Sequence, residues 1–229
     1  MHNIKSELEQ QGFSIVHGVL RASEVAALRN AINPLVERSP AAGIRGLAQK
    51  VPGIRELAES QTIRALVEPV LGLQARMVRS VLFNKNQATN WHVAWHQDLA
   101  IAVQHQAEAE GFISWSVKDG VAHVQPPIEI LENMLTVRLH LDDADESNGA
   151  LWVSPGSHRF GRLPADAAAA VAERHGKKLC AVQMGDALLF HPLVLHASRK
   201  ATSGNPRRVI HLEFAGITLP APLVWNEAA

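Results

Sequence analysis

The chain has 229 residues, enough to bury a core without disulfide or metal staples, and its 47% hydrophobic and 19% charged residues exclude a disordered segment. Basic and acidic side chains balance at 22 each with no block of one sign, so neither nucleic acid nor an anionic membrane is an expected partner. No apolar run reaches the roughly 18 residues of a membrane span, the N-terminal MHNIKSELEQQG has no apolar stretch, and the lone Cys180 cannot pair internally, which together place the expected location in the cytoplasm.

In chain order, residues 1–72 read as mainly helical. From Ser23 as N-cap, Val25, Leu28 and Ile32 recur at helical spacing until Asn33-Pro34, which is expected to end or kink the helix. A second helix carries Ile63, Leu66, Val67, Val70 and Leu71 on one face, with Pro69 late in it and Gly72 as its stop. After Gly72 the period changes. Gln74–Asn84 alternates as a strand does, and Trp91–Asp98 and Leu135–Leu141 also read as extended. The segment 104–127 reads as an irregular, lid-like insertion in which Phe112, Trp115 and His123 are candidates for substrate contact. Asn148-Gly149 marks a turn before a short strand, Leu151–Val153, and the loop Ser154-Pro155-Gly156-Ser157-His158 follows. Ala165–Ala172 reads as a surface helix, and Leu179–Val182, Ala187–Ser198 and Arg207–Ala215 as strands. Short strands between turns, with helices ahead of them, predict a mainly β fold of sandwich or barrel type with helices packed outside.

Histidine is the unusual residue, with 12 copies in a chain that lacks tyrosine. In Trp91-His92-Val93-Ala94-Trp95-His96-Gln97-Asp98, strand geometry points His96 and Asp98 the same way, an imidazole nitrogen and a carboxylate within reach of one ion. His92 shares that face but lies four residues from His96, about 13 Å along a strand, so pocket lining or packing is its expected role. A third ligand has to come from elsewhere, and His196 stands in a late strand that can pair back beside the first. Two histidines and one carboxylate form the facial triad of non-haem iron(II) oxygenases, which leaves adjacent positions for a chelating 2-oxo acid and dioxygen. An HxD tripeptide alone is a weak signal.

A 2-oxo dicarboxylate also needs a guanidinium for its distal end, often with a hydroxyl. Ser198 shares the face of His196, and Arg207-Arg208 opens the next strand. Periodicity leaves both arginines open, because Arg207 shares a face with Val209, His211 and Glu213, and Arg208 with Ile210, Leu212 and Phe214. Arg138 and His140 share one face of their strand and are weaker pocket candidates, as is Trp91.

Taken together, these residues resemble the phytanoyl-CoA dioxygenase family of Fe(II)/2-oxoglutarate oxygenases. The matches are Trp95-His96-Gln97-Asp98, Leu139-His140-Leu141-Asp142-Asp143 through Asn148-Gly149-Ala150-Leu151, Pro155-Gly156-Ser157-His158, and His196-x-Ser198 with Arg207 beyond it, in the family's order between Phe83 and Phe214. The resemblance implies a single domain over 1–229: a double-stranded β-helix (jelly-roll, cupin-like) core over 73–216, with the 1–72 helices as outside support. It implies Fe(II) on His96, Asp98 and His196, and 2-oxoglutarate held by Arg207 with Ser198, with Lys85 near the place where relatives carry a basic residue. It implies a dioxygenase that consumes O2, releases succinate and CO2, and hydroxylates an aliphatic carbon of a small molecule. Related halogenases put a small residue where this chain has Asp98, so hydroxylation is the expected outcome. No basic cluster suits the phosphates of a CoA ester, and oligomeric state is not readable. The residues alone leave two alternatives: a cupin-like metal-dependent isomerase or hydrolase that does not use 2-oxoglutarate, and a non-catalytic jelly-roll binding module.

Overall fold

The structure is a computed structural model that describes residues 3–39 and 41–227. Its first part runs α1 (Ile4–Gln11), β1 (Phe13–Val16), α2 (Ala22–Arg38), β2 (Gly43–Arg45), α3 (Leu47–Lys50), α4 (Gly53–Glu59) and α5 (Gln61–Leu71). There follow β3 (Arg76–Lys85), β4 (Val93–His96), β5 (Ile101–Val103), β6 (Ile113–Lys118), β7 (Val121–Gln125), α6 (Ile128–Glu132) and β8 (Met134–His140). The chain ends with β9 (Leu151–Val153), α7 (Ala168–His175), β10 (Lys178–Cys180), β11 (Ala187–Phe190), β12 (His196–Ser198) and β13 (Arg207–Ala215). A six-stranded sheet in the order β1-β11-β8-β13-β3-β2 faces a four-stranded sheet, β10-β9-β12-β4, across a shared cavity. The pair forms a double-stranded β-helix, and among the described residues no helix is long and apolar enough to cross a membrane.

Alternation along the central strands explains both faces of the large sheet. On β13, Ile210, Leu212 and Phe214 join Leu135, Val137 and Leu139 of β8 under the helices, in one cluster with Ile32, Ile54, Ile63 and Val67. The alternate residues, Arg207, His211 and Glu213 with Arg138 of β8, line the cavity between the sheets. The period of two thus splits each strand into a face that anchors the helices and a face that lines the cavity. Helix α5 shows the anchoring: Ser60 caps it by accepting from the Ile63 amide, it stops at Gly72 with φ at +86°, and Ile63, Leu66, Val67 and Leu71 are buried. Each such side chain stabilises the fold by about 2 kcal/mol over its exposed state, so Val67→Asp would detach this layer.

Three sequence expectations change and one is refined. Pro34 does not end α2, which continues to Arg38 while Arg29 on the same helix reaches the Leu141 carbonyl and Asp142, so tertiary contacts outweigh the lost hydrogen bond. The first 72 residues are mainly helical, as expected, but they also carry two short strands. β1 pairs with β11 and β2 with β3, and strands of four and three residues are too short to declare a period. Ala187–Ser198 is two strands, because Pro192 cannot serve a ladder and the chain crosses there from the large sheet to the small one. Segment 104–127 is not irregular: β6 and β7 form a hairpin that joins β5 in a third sheet. Its turn, Asp119-Gly120 with φ of +52° and +79°, is the Asp-Gly signal of a two-residue hairpin.

Candidate active site

β12 and β4 bring the triad together. His196 lies opposite His96 in the antiparallel register, and Asp98 follows two residues past β4, its amide donating to the Pro192 carbonyl at 2.9 Å. The Nε2 atoms of His96 and His196 stand 3.7 and 3.5 Å from the two Asp98 carboxylate oxygens, and one donor atom from each residue lies within 4.8 Å of the others. Each imidazole Nδ1 sits 2.9 Å from the carbonyl two residues back, Ala94 for His96 and Val194 for His196. A carbonyl only accepts, so Nδ1 carries the proton and the Nε2 lone pair is left for an ion. Burial, followed by the neighbouring His96, pushes His196 down to about 4, so it is neutral at pH 7. Burial would raise Asp98, yet the basic side chains around it, with Arg79 the one fixed cation among them, lower it, so it is ionised. Gln97, between His96 and Asp98, is a buried clamp that donates to the Gly161 and Leu193 carbonyls and accepts from the Leu163 amide. Ser157, of the Pro-Gly-Ser-His loop, accepts from the Leu195 amide at 2.8 Å and fixes the residue before His196.

A bulge sets the phase. Ser198 pairs with Val93 and His196 with His96, so three steps of β4 match two of β12. Val93 and His96 therefore both reach the cavity, while His92 is exposed and neither packs nor lines it, contrary to expectation.

The cavity, about 150 Å³, is bounded by the triad, Arg79, Phe83, Trp91, Arg138, Ser198 and Arg207 among others. Arg207 is only 2% exposed, and its Nε and Nη1 have no hydrogen-bond partner. Burial, then the Arg138 charge, lowers it to about 9. Lys85 lies opposite it on β3, fully buried, donating to Ser198 Oγ at 2.9 Å and the Arg199 carbonyl at 2.6 Å. Ser198 in turn donates to the Gly149 carbonyl at 2.8 Å. Gly149 has φ at +81°, and a Cβ there would come within 2.8 Å of Lys85 Nζ, which is why the Asn-Gly turn ends in glycine. Arg208 points away, bound to Asp142 on the outer face at 2.8 Å. Geometry thus separates the two arginines that periodicity could not.

Along the same wall, Arg79 pairs with Glu213 at 2.7 Å, His211 Nε2 lies 3.1 Å from Glu213, and Arg138 Nη1 lies 3.2 Å from His211 Nδ1. Sequence reading did not single out Arg79 or Phe83, and it used His211 and Glu213 only to phase a strand. The alternation through Arg207 was the signal that would have found the latter two. His140 is buried near Arg138 and Arg207, which with burial lower it far below the usual histidine range. The lid candidates Phe112, Trp115 and His123 are not among the cavity-lining residues. Phe112 and Trp115 pack with Ile101, Val103 and Val124 in a separate apolar cluster.

The donor set suits a ferrous ion, with two imidazoles held through Nδ1 by backbone and one ionised carboxylate. The unpartnered, buried guanidinium suits a carboxylate-bearing cosubstrate. Comparison with known sequences is decisive: residues 8–209 match the family described as Phytanoyl-CoA dioxygenase (PhyH). The chain belongs to the phytanoyl-CoA dioxygenase family. As a member it is an iron- and 2-oxoglutarate-dependent dioxygenase, and this membership sets aside both the isomerase or hydrolase reading and the non-catalytic module. It is similar to the ectoine dioxygenase of Nocardia farcinica, 24% identical over 93% of this chain and 76% of that protein. It is also similar in fold to EctD from S. alaskensis with 2-oxoglutarate and 5-hydroxyectoine, at TM-score 0.72 and 22% identity over 92% of this chain and 74% of the other. AviO1 from Streptomyces viridochromogenes Tue57 matches at TM-score 0.70 and 21% identity, over 96% of each chain.

Proposed function

We propose that this dioxygenase hydroxylates an aliphatic carbon of a small molecule, with Fe(II) on His96, Asp98 and His196 and the distal carboxylate of 2-oxoglutarate on Arg207, Ser198 and Lys85. The observation that carries the reading is Arg207, a buried guanidinium without a partner that opens into the same cavity as the triad. A buried charge is costly unless paired, and a carboxylate supplies the pair. When bound, the iron and 2-oxoglutarate supply the oxidising chemistry, with dioxygen as co-reactant and succinate and CO2 as products.

The chain's own residues bind and orient. Nδ1 of each histidine is tied to backbone, so both rings enter the site in the tautomer a ligand needs. Lys85 and Ser198 set the position of the distal carboxylate, and Phe83, Leu151 and Val93 make the wall apolar and limit water around it. The cavity volume favours a small substrate over a CoA thioester. A reducing, cytoplasmic setting fits the free and buried Cys180, whose thiol burial pushes up to about 12.

The test is succinate release from 2-oxoglutarate under air, with Fe(II) added and a substrate collection screened. The expected result is release that needs iron and is lost in Asp98→Ala. Succinate formation by Asp98→Ala at the wild-type rate would refute the assignment.

A further inference from the structure

Pairing Arg207 and Lys85 with a distal carboxylate leaves one buried cation over. Arg138 enters the cavity from β8 opposite His211, four residues along β13 from Arg207. That separation is about 13 Å along a strand. Arg138 thus comes from a different strand than Lys85 and Arg207, near enough for its charge to lower both, and burial brings Arg138 itself down only to about 10, so it stays cationic.

Its contacts hold it without neutralising it. Nη1 donates to His211 Nδ1 at 3.2 Å, the guanidinium lies 5.2 Å from the Phe83 ring centre, and Nε has no partner. A guanidinium only donates, so His211 Nδ1 accepts, and Nε2 carries the hydrogen given to Glu213. His211 is thus a neutral prop. Glu213, the carboxylate in this chain of contacts, is engaged by Arg79 at 2.7 Å. Among the described residues, none of the ion pairs involves Arg138, which is 5% exposed. A charged group kept dry, propped by a neutral acceptor and open to the cavity is built to receive an anion.

We infer that the substrate of this enzyme carries an oxyanion, a carboxylate or a phosphonate, and that Arg138 receives it beside the metal centre. The inference rests on the cosubstrate reading, in which Arg207 and not Arg138 holds 2-oxoglutarate. It narrows the substrate class to small anions and makes Arg138 the specificity-determining residue.

The experiment uses the anaerobic protein loaded with Fe(II) and 2-oxoglutarate, whose visible charge-transfer band reports the chelate. Acetate and methylphosphonate are titrated in, with acetamide as the uncharged match. The expected result is a saturable shift of the band by both anions and none by acetamide. In Arg138→Gln, half-saturation by the anions rises about thirtyfold or more, the size of a lost charged hydrogen bond. The same variant keeps its 2-oxoglutarate half-saturation within about threefold, which also shows that it is folded, and Arg138→Lys recovers part of the anion response. Equal shifts by acetamide and acetate would overturn the inference, as would anions that bleach the band by displacing 2-oxoglutarate. So would an Arg138→Gln protein that loses 2-oxoglutarate as Arg207→Met does, because Arg138 would then belong to the cosubstrate. A wild-type protein with no band before any anion is added would bring down the cosubstrate reading itself, and this inference with it.

Discussion

His96 and His196 face each other across the β4–β12 pair with ring centres 4.2 Å apart, each tied through Nδ1 to the carbonyl two residues behind it. Neither ring can turn without giving up that bond, so the two lone pairs and the Asp98 carboxylate converge before any ion arrives. His196→Ala is expected to lower Fe(II) affinity by more than about a hundredfold, beyond the usual cost of losing an outer partner of a metal ligand. Competition against a coloured chelator measures it.

Gln97 should matter nearly as much, although it touches no ligand atom. Its amide holds the Gly161 and Leu193 carbonyls and the Leu163 amide, and so fixes the turn that presents Asp98. Gln97→Ala leaves those groups without partners, at about 1–3 kcal/mol of stability, and Fe(II) affinity should fall about tenfold. Thermal unfolding and the same competition read the two effects.

Arg207 and Arg208 are neighbours with opposite environments, so their variants should separate. Arg207→Met is expected to weaken 2-oxoglutarate binding by about 2–5 kcal/mol, the range for one partner of a buried charge pair. It should also stabilise the ligand-free protein, because an uncompensated buried charge is removed, and each 1 kcal/mol raises the midpoint by about 2–4 °C. Arg208→Met loses the outer ion pair with Asp142 and should leave 2-oxoglutarate affinity unchanged. Calorimetry with both variants checks the pair of outcomes.

Lys85 gives a pH signature. Burial, then the charges of Arg207 and Arg138, lowers it to about 8 from an ordinary 10.5. In the window between those two values the unfolded chain binds more protons than the folded one, so the ligand-free protein gains stability as pH rises through it. Affinity for 2-oxoglutarate moves the other way, since the bound carboxylate favours the protonated amine. It should fall as pH passes about 8, and Lys85→Met should flatten that dependence. Titrating the charge-transfer band between about pH 7 and about pH 9 measures it.

Gly149→Ala places a methyl group within 2.8 Å of both the Arg199 carbonyl and Lys85 Nζ, at a φ of +81°. The backbone strain alone costs about 1–3 kcal/mol. Lys85 must also move, so a lower melting temperature and weaker 2-oxoglutarate binding are expected together.

The sequence made the chemistry more legible than the wall around it. His96 and Asp98 could be paired because their spacing on a strand is a local pattern, whereas His196, far along the chain, was reached only through its late strand and the family resemblance; the fold brings donor atoms of all three within 4.8 Å of one another. β13 was placed with its full bounds because nine alternating residues announce a strand. Arg79 and Phe83 were not legible, since their role depends on β3 lying beside β13, a pairing that no local pattern encodes. His92 misled for a related reason: one bulge shifts the phase of β4, and a strict period of two assigns it to the wrong face. β1 and β2 escaped notice because edge strands this short exist through their partners.

The most direct test of the account is an anaerobic titration of the protein with Fe(II) and 2-oxoglutarate, followed in the visible range. One ferrous ion and one 2-oxoglutarate per chain should together give a charge-transfer band that neither gives alone, absent in His196→Ala and shifted to far higher 2-oxoglutarate in Arg207→Met. A band of full strength in His196→Ala, or none in the wild-type protein, would contradict it.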